Sequence, residues 1–320
     1  MTATTSTAPG PPSETASPAQ RLRATTAAVR VSFEWLGARK TLRPDQKAQA
    51  AEPFGAEGQY LSAAKKLLNT AHPAFKAVSA IKGRIASLWK GTSLPYPDPG
   101  IRLIRQDQVE TFNEQMIALR QELQEAVSKL NDHYAELRDT ARQKLGALYD
   151  PADYPPSLLG LFQVQWDFPS VEPPEYLMRL NPRLYEEQRR RMASRFEQAV
   201  ALAEQAFIEE FGSLIEHLTE RLTAGEDGRA KTFRNTAITG LHEFFQRFKS
   251  LSVNSNEELD ELVETAQKAL RGVGPQQLRD HDDLRQKVAS QLSTVSATLE
   301  GLMVDRPRRR VLRRKTAGAE

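Results

Sequence analysis

Between Ile101 and Gly146 the chain carries neither glycine nor proline. Apolar residues in that stretch recur at intervals of three and four: Val109, Phe112, Met116, Leu119, Leu123, Val127, Leu130, Tyr134, Leu137, Ala141 and Leu145. This period predicts one long amphipathic helix over about 107–146. At 1.5 Å per residue, roughly 40 residues make a rod of about 60 Å. An apolar stripe that long must be covered along its length. A second helix of similar length is predicted over about 182–223, opened by Asn181 as N-cap and Pro182 at the first helical position. Its stripe runs through Tyr185, Gln188, Met192, Phe196, Ala199, Ala203, Phe207, Phe211, Leu214, Leu218 and Leu222. Two stripes of equal length in one chain are expected to cover each other as an antiparallel hairpin.

Two segments alternate with period two: Val29, Val31, Phe33 and Trp35, and Phe162, Val164, Trp166 and Phe168. Each reads as a strand, over about 29–35 and 162–168. A lone strand leaves its backbone groups unpaired, so the two are expected to pair with each other. Residues 57–90 read as helical, with Pro73 as a kink or division. The run Gly91–Gly100 holds three prolines and two glycines and is expected to be irregular. Asp107 and Glu110 have capping-box spacing. Three shorter helices are expected over about 229–251, 256–271 and 283–302, with Ser255–Glu258 and Asp282 as starts. The fold class is therefore mainly α: a long antiparallel helical hairpin, a minimal two-stranded β element and a small C-terminal helical bundle. The expected organisation is a disordered tail at 1–24, one elongated helical domain at 25–303 and a basic disordered tail at 304–320.

Composition narrows the chemistry. None of the 320 residues is cysteine, which removes disulfides, thiolate metal sites and thiol catalysis. No apolar run approaches the roughly 18–20 residues of a membrane span. Residues 1–20 lack the basic start and apolar core of a signal peptide. A soluble, cytoplasmic protein is the expectation. The net charge of +3 conceals an asymmetry. Arg306, Arg308, Arg309, Arg310, Arg313, Arg314 and Lys315 cluster near the end. Without these seven, 37 bases stand against 41 acids, so the body is acidic. Such a cluster can bind a phosphate backbone without reading its sequence, giving an alternative reading as a nucleic-acid-associated accessory protein.

Catalytic patterns are absent. Gly225–Thr232 lacks the glycine before Lys231 that a phosphate loop needs, and a helix rather than a strand precedes it. His281-Asp282-Asp283 reads as a helix start, and His133 with Glu136 and His242 with Glu243 as surface residues. The Arg189–Arg191 run fans around a helix as a solvated face. No metal, cofactor or catalytic residue is assigned. An enzyme reading would require Asp98, Arg102 and Asp153 to converge in a closed pocket.

The stretch Leu88–Leu103, with Trp89, Leu94-Pro95-Tyr96, Asp98 and Gly100-Ile101-Arg102, followed by Phe112–Met116, resembles the signature of an uncharacterised bacterial and phage family. The Leu148–Pro155 and Phe233-Arg-Asn stretches look similar too, so the resemblance spans about residues 29–300. That family is a domain of unknown function met in phages, plasmids and integrative elements. Some members neighbour an AAA+ ATPase or a von Willebrand-type protein. The resemblance implies an accessory role in mobile-element biology beside such a partner, and no catalytic residue. The expected function is a non-enzymatic scaffold or interaction protein. Its partner-binding residues would be Trp89, Pro95, Tyr96, Asp98 and Arg102, in a loop whose prolines lower the entropy cost of ordering; the same residues read equally as a well-packed helix connection. Oligomeric state stays open, because a heptad seam can be met by a second copy.

Overall fold

The computed structural model describes residues 16–222 and 236–304. In chain order the elements are α1 (Pro18–Thr25), β1 (Thr26–Trp35), β2 (Arg39–Thr41), α2 (Pro44–Ala51), β3 (Ala64–Lys66), α3 (Pro73–Gly91), β4 (Ser93–Pro95) and β5 (Ile101–Arg105). There follow α4 (Val109–Asp132), α5 (Tyr134–Leu145), β6 (Phe162–Asp167), α6 (Tyr176–Leu180), α7 (Pro182–Leu222), α8 (Thr236–Leu251), α9 (Glu257–Ala269), α10 (Pro275–Asp280) and α11 (Asp282–Val304). The protein is mainly α. The single body expected over 25–303 divides into two compact units. One holds Thr26–Ser93 and Asp98–Val171, and the other holds, of the described residues, those up to Thr25, Leu94–Pro97 and those from Glu172 on.

In the first unit the expected strand pair is present. Val31 lies opposite Trp166 and Phe33 opposite Val164 in an antiparallel ladder. The sheet is larger than two strands, with order β4-β5-β1-β6. β1 is long enough to serve two neighbours: its first half pairs with β5, Thr26 opposite Arg105, and its second half with β6. The first half hides from periodicity because Ala28 and Val29, adjacent in sequence, are both buried. A further pair, β2 with β3, places Lys40 opposite Lys65. β3 occupies ground read as helix, since the helix expected over 57–90 starts only at Pro73. Proline there takes the first helical position and His72 caps it, its Nδ1 accepting from the Ala74 N–H at 3.3 Å.

The rod is interrupted at His133, which separates α4 from α5. Asp107 does not cap it. Its carboxylate takes the Arg105 guanidinium at 2.6 Å, and α4 starts after a short 3-10 turn. The seam reads as expected: Phe112, Met116, Leu119, Leu123, Val127, Leu130, Tyr134 and Leu137 are all buried. Its cover differs from the expectation. α3 packs along α4, as the ring of His72 beside His133 and the Arg84–Glu122 ion pair show for an antiparallel arrangement. α3 meets the need with Phe75, Val78, Ile81 and Ile85 and lies one hairpin away in sequence. The hairpin of long helices is therefore α3 with α4, not 107–146 with 182–223.

In the second unit α7 packs with α1, α6, α8 and α11. Its first turn is capped as expected, with Leu184 N–H donating to Asn181 Oδ1 at 3.1 Å. Phe207 meets Phe244 and Phe248 of α8 edge-to-face, and Phe211 stacks on Phe244, at ring distances of 5.0–6.2 Å. α9 is capped by Asn256 rather than Ser255, through the Leu259 N–H at 3.0 Å. Residues 18–24, expected as tail, form most of α1, which buries Leu22. Arg21 ties it down by donating to the carbonyl of Val253 at 2.7 Å. Residues 1–15, the Gly225–Thr232 stretch and the basic run Arg306–Lys315 lie outside the described residues.

Candidate functional site

The five residues expected to face a partner are not one exposed loop. Asp98–Ile101 is a tight turn: Ile101 N–H donates to the Asp98 carbonyl at 3.2 Å, and Gly100 sits at φ 77°. Pro99 at the second position and glycine at the third are what a type II turn demands. The run expected as irregular thus contains β4 and a hairpin turn. Arg102 is spent on structure. Its Nε donates to Ser93 Oγ at 2.8 Å and its Nη2 to the Ser93 carbonyl at 2.6 Å and the Lys90 carbonyl at 3.4 Å, closing the end of α3. Trp89 is half-buried in α3. Tyr96 is buried in the other unit, its ring 5.6 Å from that of Phe196. Pro95 belongs with Tyr96, and Asp98 with Trp89 and Arg102.

Asp153 is committed elsewhere. Its side chain is 1% exposed and lies 2.6 Å from Lys65 Nζ, with Lys40 bonded to its other oxygen. Lys65 also donates to the Leu148 carbonyl at 2.7 Å. Two lysines directly opposite on paired strands would repel. The carboxylate between them turns that liability into a clamp. Burial pushes the Asp153 carboxyl upward, but hydrogen bonds and charge from Lys40 and Lys65 outweigh it and hold the carboxyl below its usual range. Beside it Tyr154 stacks on Tyr149 at 4.9 Å, and burial pushes the Tyr154 phenol up to about 12. Among the described residues this cluster has the chemistry of a brace: every charge in it is answered.

A groove has no such closure. It lies between α4 and β6, with a volume of about 850 Å³, a size typical of ligand sites. Its base is the buried apolar row Leu123, Val127, Phe162 and Val164. Its rims carry exposed apolar side chains, Ile117 at 45% and Leu159 at 57%. Gln121, Gln124, Gln163 and Gln165 supply neutral hydrogen-bonding groups, and Arg120 is the charged member of the lining. The Arg120 guanidinium rests 4.8 Å over the Trp166 ring, and Trp166 is oriented by donating to Asn113 Oδ1 at 2.9 Å. That chain of contacts presets the cation before any ligand arrives.

β6 is the edge strand on this side of the sheet, and among the described residues no strand pairs with its outer side. Antiparallel ladders alternate. The Leu36 N–H donates to the Leu161 carbonyl at 3.0 Å. Counting onward, Gln163, Gln165 and Asp167 direct their backbone groups to β1, while Phe162, Val164 and Trp166 direct N–H and C=O to the outer side. The groove therefore joins a backbone template to an apolar floor. Sequence marks Leu123, Val127, Phe162 and Val164 as buried-face positions but assigns no residue of the groove to a site. Period-two alternation in 162–168 was visible, but which edge of the strand stays open depends on strand order. Compared with family models, curated proteins and solved structures, the chain matches none.

Proposed function

We propose that this protein is a non-enzymatic interaction module that takes an extended peptide segment of a protein partner onto the outer edge of β6. The observation that carries the reading is an edge strand set beside an apolar, open groove floored by one long helix. An added strand gains affinity from main-chain hydrogen bonds and selectivity from alternate side chains entering the groove. The matching peptide has apolar residues at alternate positions and an acid where it passes Arg120. The resemblance in Trp89–Arg102 adds, as the setting of such a partner, an accessory role beside an AAA+ ATPase. It contributes no residue to the groove.

The test uses the full chain against an array of random-sequence peptides. The best binder is then resynthesised with a single backbone N-methyl group at each position in turn. Strand addition predicts a period-two pattern. Positions facing β6 lose one hydrogen bond each, about 0.5–1.5 kcal/mol or roughly 2- to 12-fold in Kd. The intervening positions lose little. Ile117→Asp and Arg120→Glu, both on the exposed side of α4, weaken the same peptide. Failure of every peptide to bind, or an even response along the backbone, refutes the proposal.

A further inference from the structure

His72 and His133 are far apart in sequence, yet their rings stand 5.1 Å apart. Glu136 follows His133 by three residues, its Oε2 3.8 Å from His133 Nδ1. One potential ligand atom from each of the three lies within 4.8 Å of the others. Sequence alone leaves His133 and Glu136 as surface residues, because the third donor comes from another helix. The antiparallel packing of α3 on α4 delivers it: His72 is held at the N-cap of α3, opposite the junction of α4 and α5. That junction is a one-residue break in a stretch with no glycine or proline to cause it, and the residue at the break is His133 itself.

Two imidazoles and one carboxylate are the donor set of zinc-class cations. Calcium and magnesium favour oxygen throughout. Metal–ligand distances of about 2.0–2.2 Å in a tetrahedral site bring ligand atoms to about 3.4 Å from one another. The arrangement must close from 4.8 Å to that value. His133 and Glu136 are exposed and can swing inward, while half-buried His72 anchors the group. His72 can offer Nε2 and keep its cap, or offer Nδ1 in place of the 3.3 Å bond from the Ala74 N–H, which is long for a hydrogen bond.

We propose that His72, His133 and Glu136 bind one zinc-class divalent cation, leaving a fourth coordination position for water or an added ligand. The site is separate from the groove reading and does not depend on it. Occupied, it would clip the start of α3 to the α4–α5 junction.

The full chain, stripped with chelator, is titrated calorimetrically with Zn2+ and by visible absorption with Co2+. One equivalent of each is expected to bind, with Co2+ giving the intense d–d bands of a tetrahedral site, and Mg2+ and Ca2+ producing no response. His72→Asn retains a capping oxygen for α3. It, His133→Ala and Glu136→Gln should each weaken Zn2+ by about tenfold or more. His242→Ala should leave binding unchanged. Glu136→Gln, at an exposed position, keeps the test valid if a histidine variant fails to fold. No saturable uptake, or uptake equal in wild type and all three variants, overturns the proposal.

Discussion

Replacing Asp153 by asparagine removes the single negative charge between Lys40 and Lys65. The cost follows from how differently the two lysines are placed. Lys40 has a side chain 57% exposed, so water replaces its lost partner and its share is small. Lys65 is 6% exposed, with the Leu148 carbonyl as its remaining acceptor. Stranding a buried charge costs about 3–5 kcal/mol, and relief through that carbonyl favours the lower end, about 3 kcal/mol. Trp35, Trp89 and Trp166, the chain's three tryptophans, all lie in the unit that contains Asp153. Tryptophan fluorescence in a urea titration therefore reports that unit. Because the Asp153 carboxyl is held low in the folded state, its contribution is complete above the ordinary carboxylate range and is lost as pH falls through the depressed value. The difference between wild type and Asp153→Asn should be full above roughly pH 5 and shrink below about pH 4. Adding Lys65→Met should recover most of the loss, since it removes the stranded charge. A loss under about 1 kcal/mol at neutral pH, or one that persists unchanged into acid, refutes the clamp.

Three further substitutions test how the first unit is built. A Cβ on Gly58 would lie 2.7 Å from Ala48 N and 2.9 Å from Ala48 Cα, backbone that cannot give way. Gly58→Ala should therefore cost about 1–3 kcal/mol, read as faster amide exchange in α2, whereas Gly83→Ala, in open space on α3, should stabilise by up to about 1 kcal/mol. Arg102→Ala should lower stability by about 1–2 kcal/mol in the same urea titration through its bonds to Ser93. It should leave the affinity of a groove-binding peptide unchanged, and a matching loss of affinity would restore the loop as a contact surface.

Helix existence was legible because buried faces repeat at 3.6 residues whatever they pack against. The seam of α4, from Phe112 to Leu137, and the start of α7 at Asn181–Pro182 are local facts. So is the alternation in Val29–Trp35 and Phe162–Phe168. Where local signals coincide, the reading slips: Pro73 marks a helix start as well as a kink, and Asp107 serves Arg105 as readily as a helix end. β5 was missed because Ile101–Arg105 runs straight into the glycine-free stretch and shares its apolar density. The arginine of Gly100-Ile101-Arg102 looks like a functional residue in sequence and is a helix-closing one in space.

The sequence by itself determined which residues must be buried, since hydrophobic periodicity is set by backbone geometry alone. It could not choose which stripe covers which, because apolar faces are interchangeable partners. Tertiary structure decided that α3 rather than α7 lies on α4. With that choice came the open edge of β6, the groove beside Val127, and the meeting of His72 with His133. Each is a relation between distant segments, fixed only when non-directional burial is resolved into one particular packing.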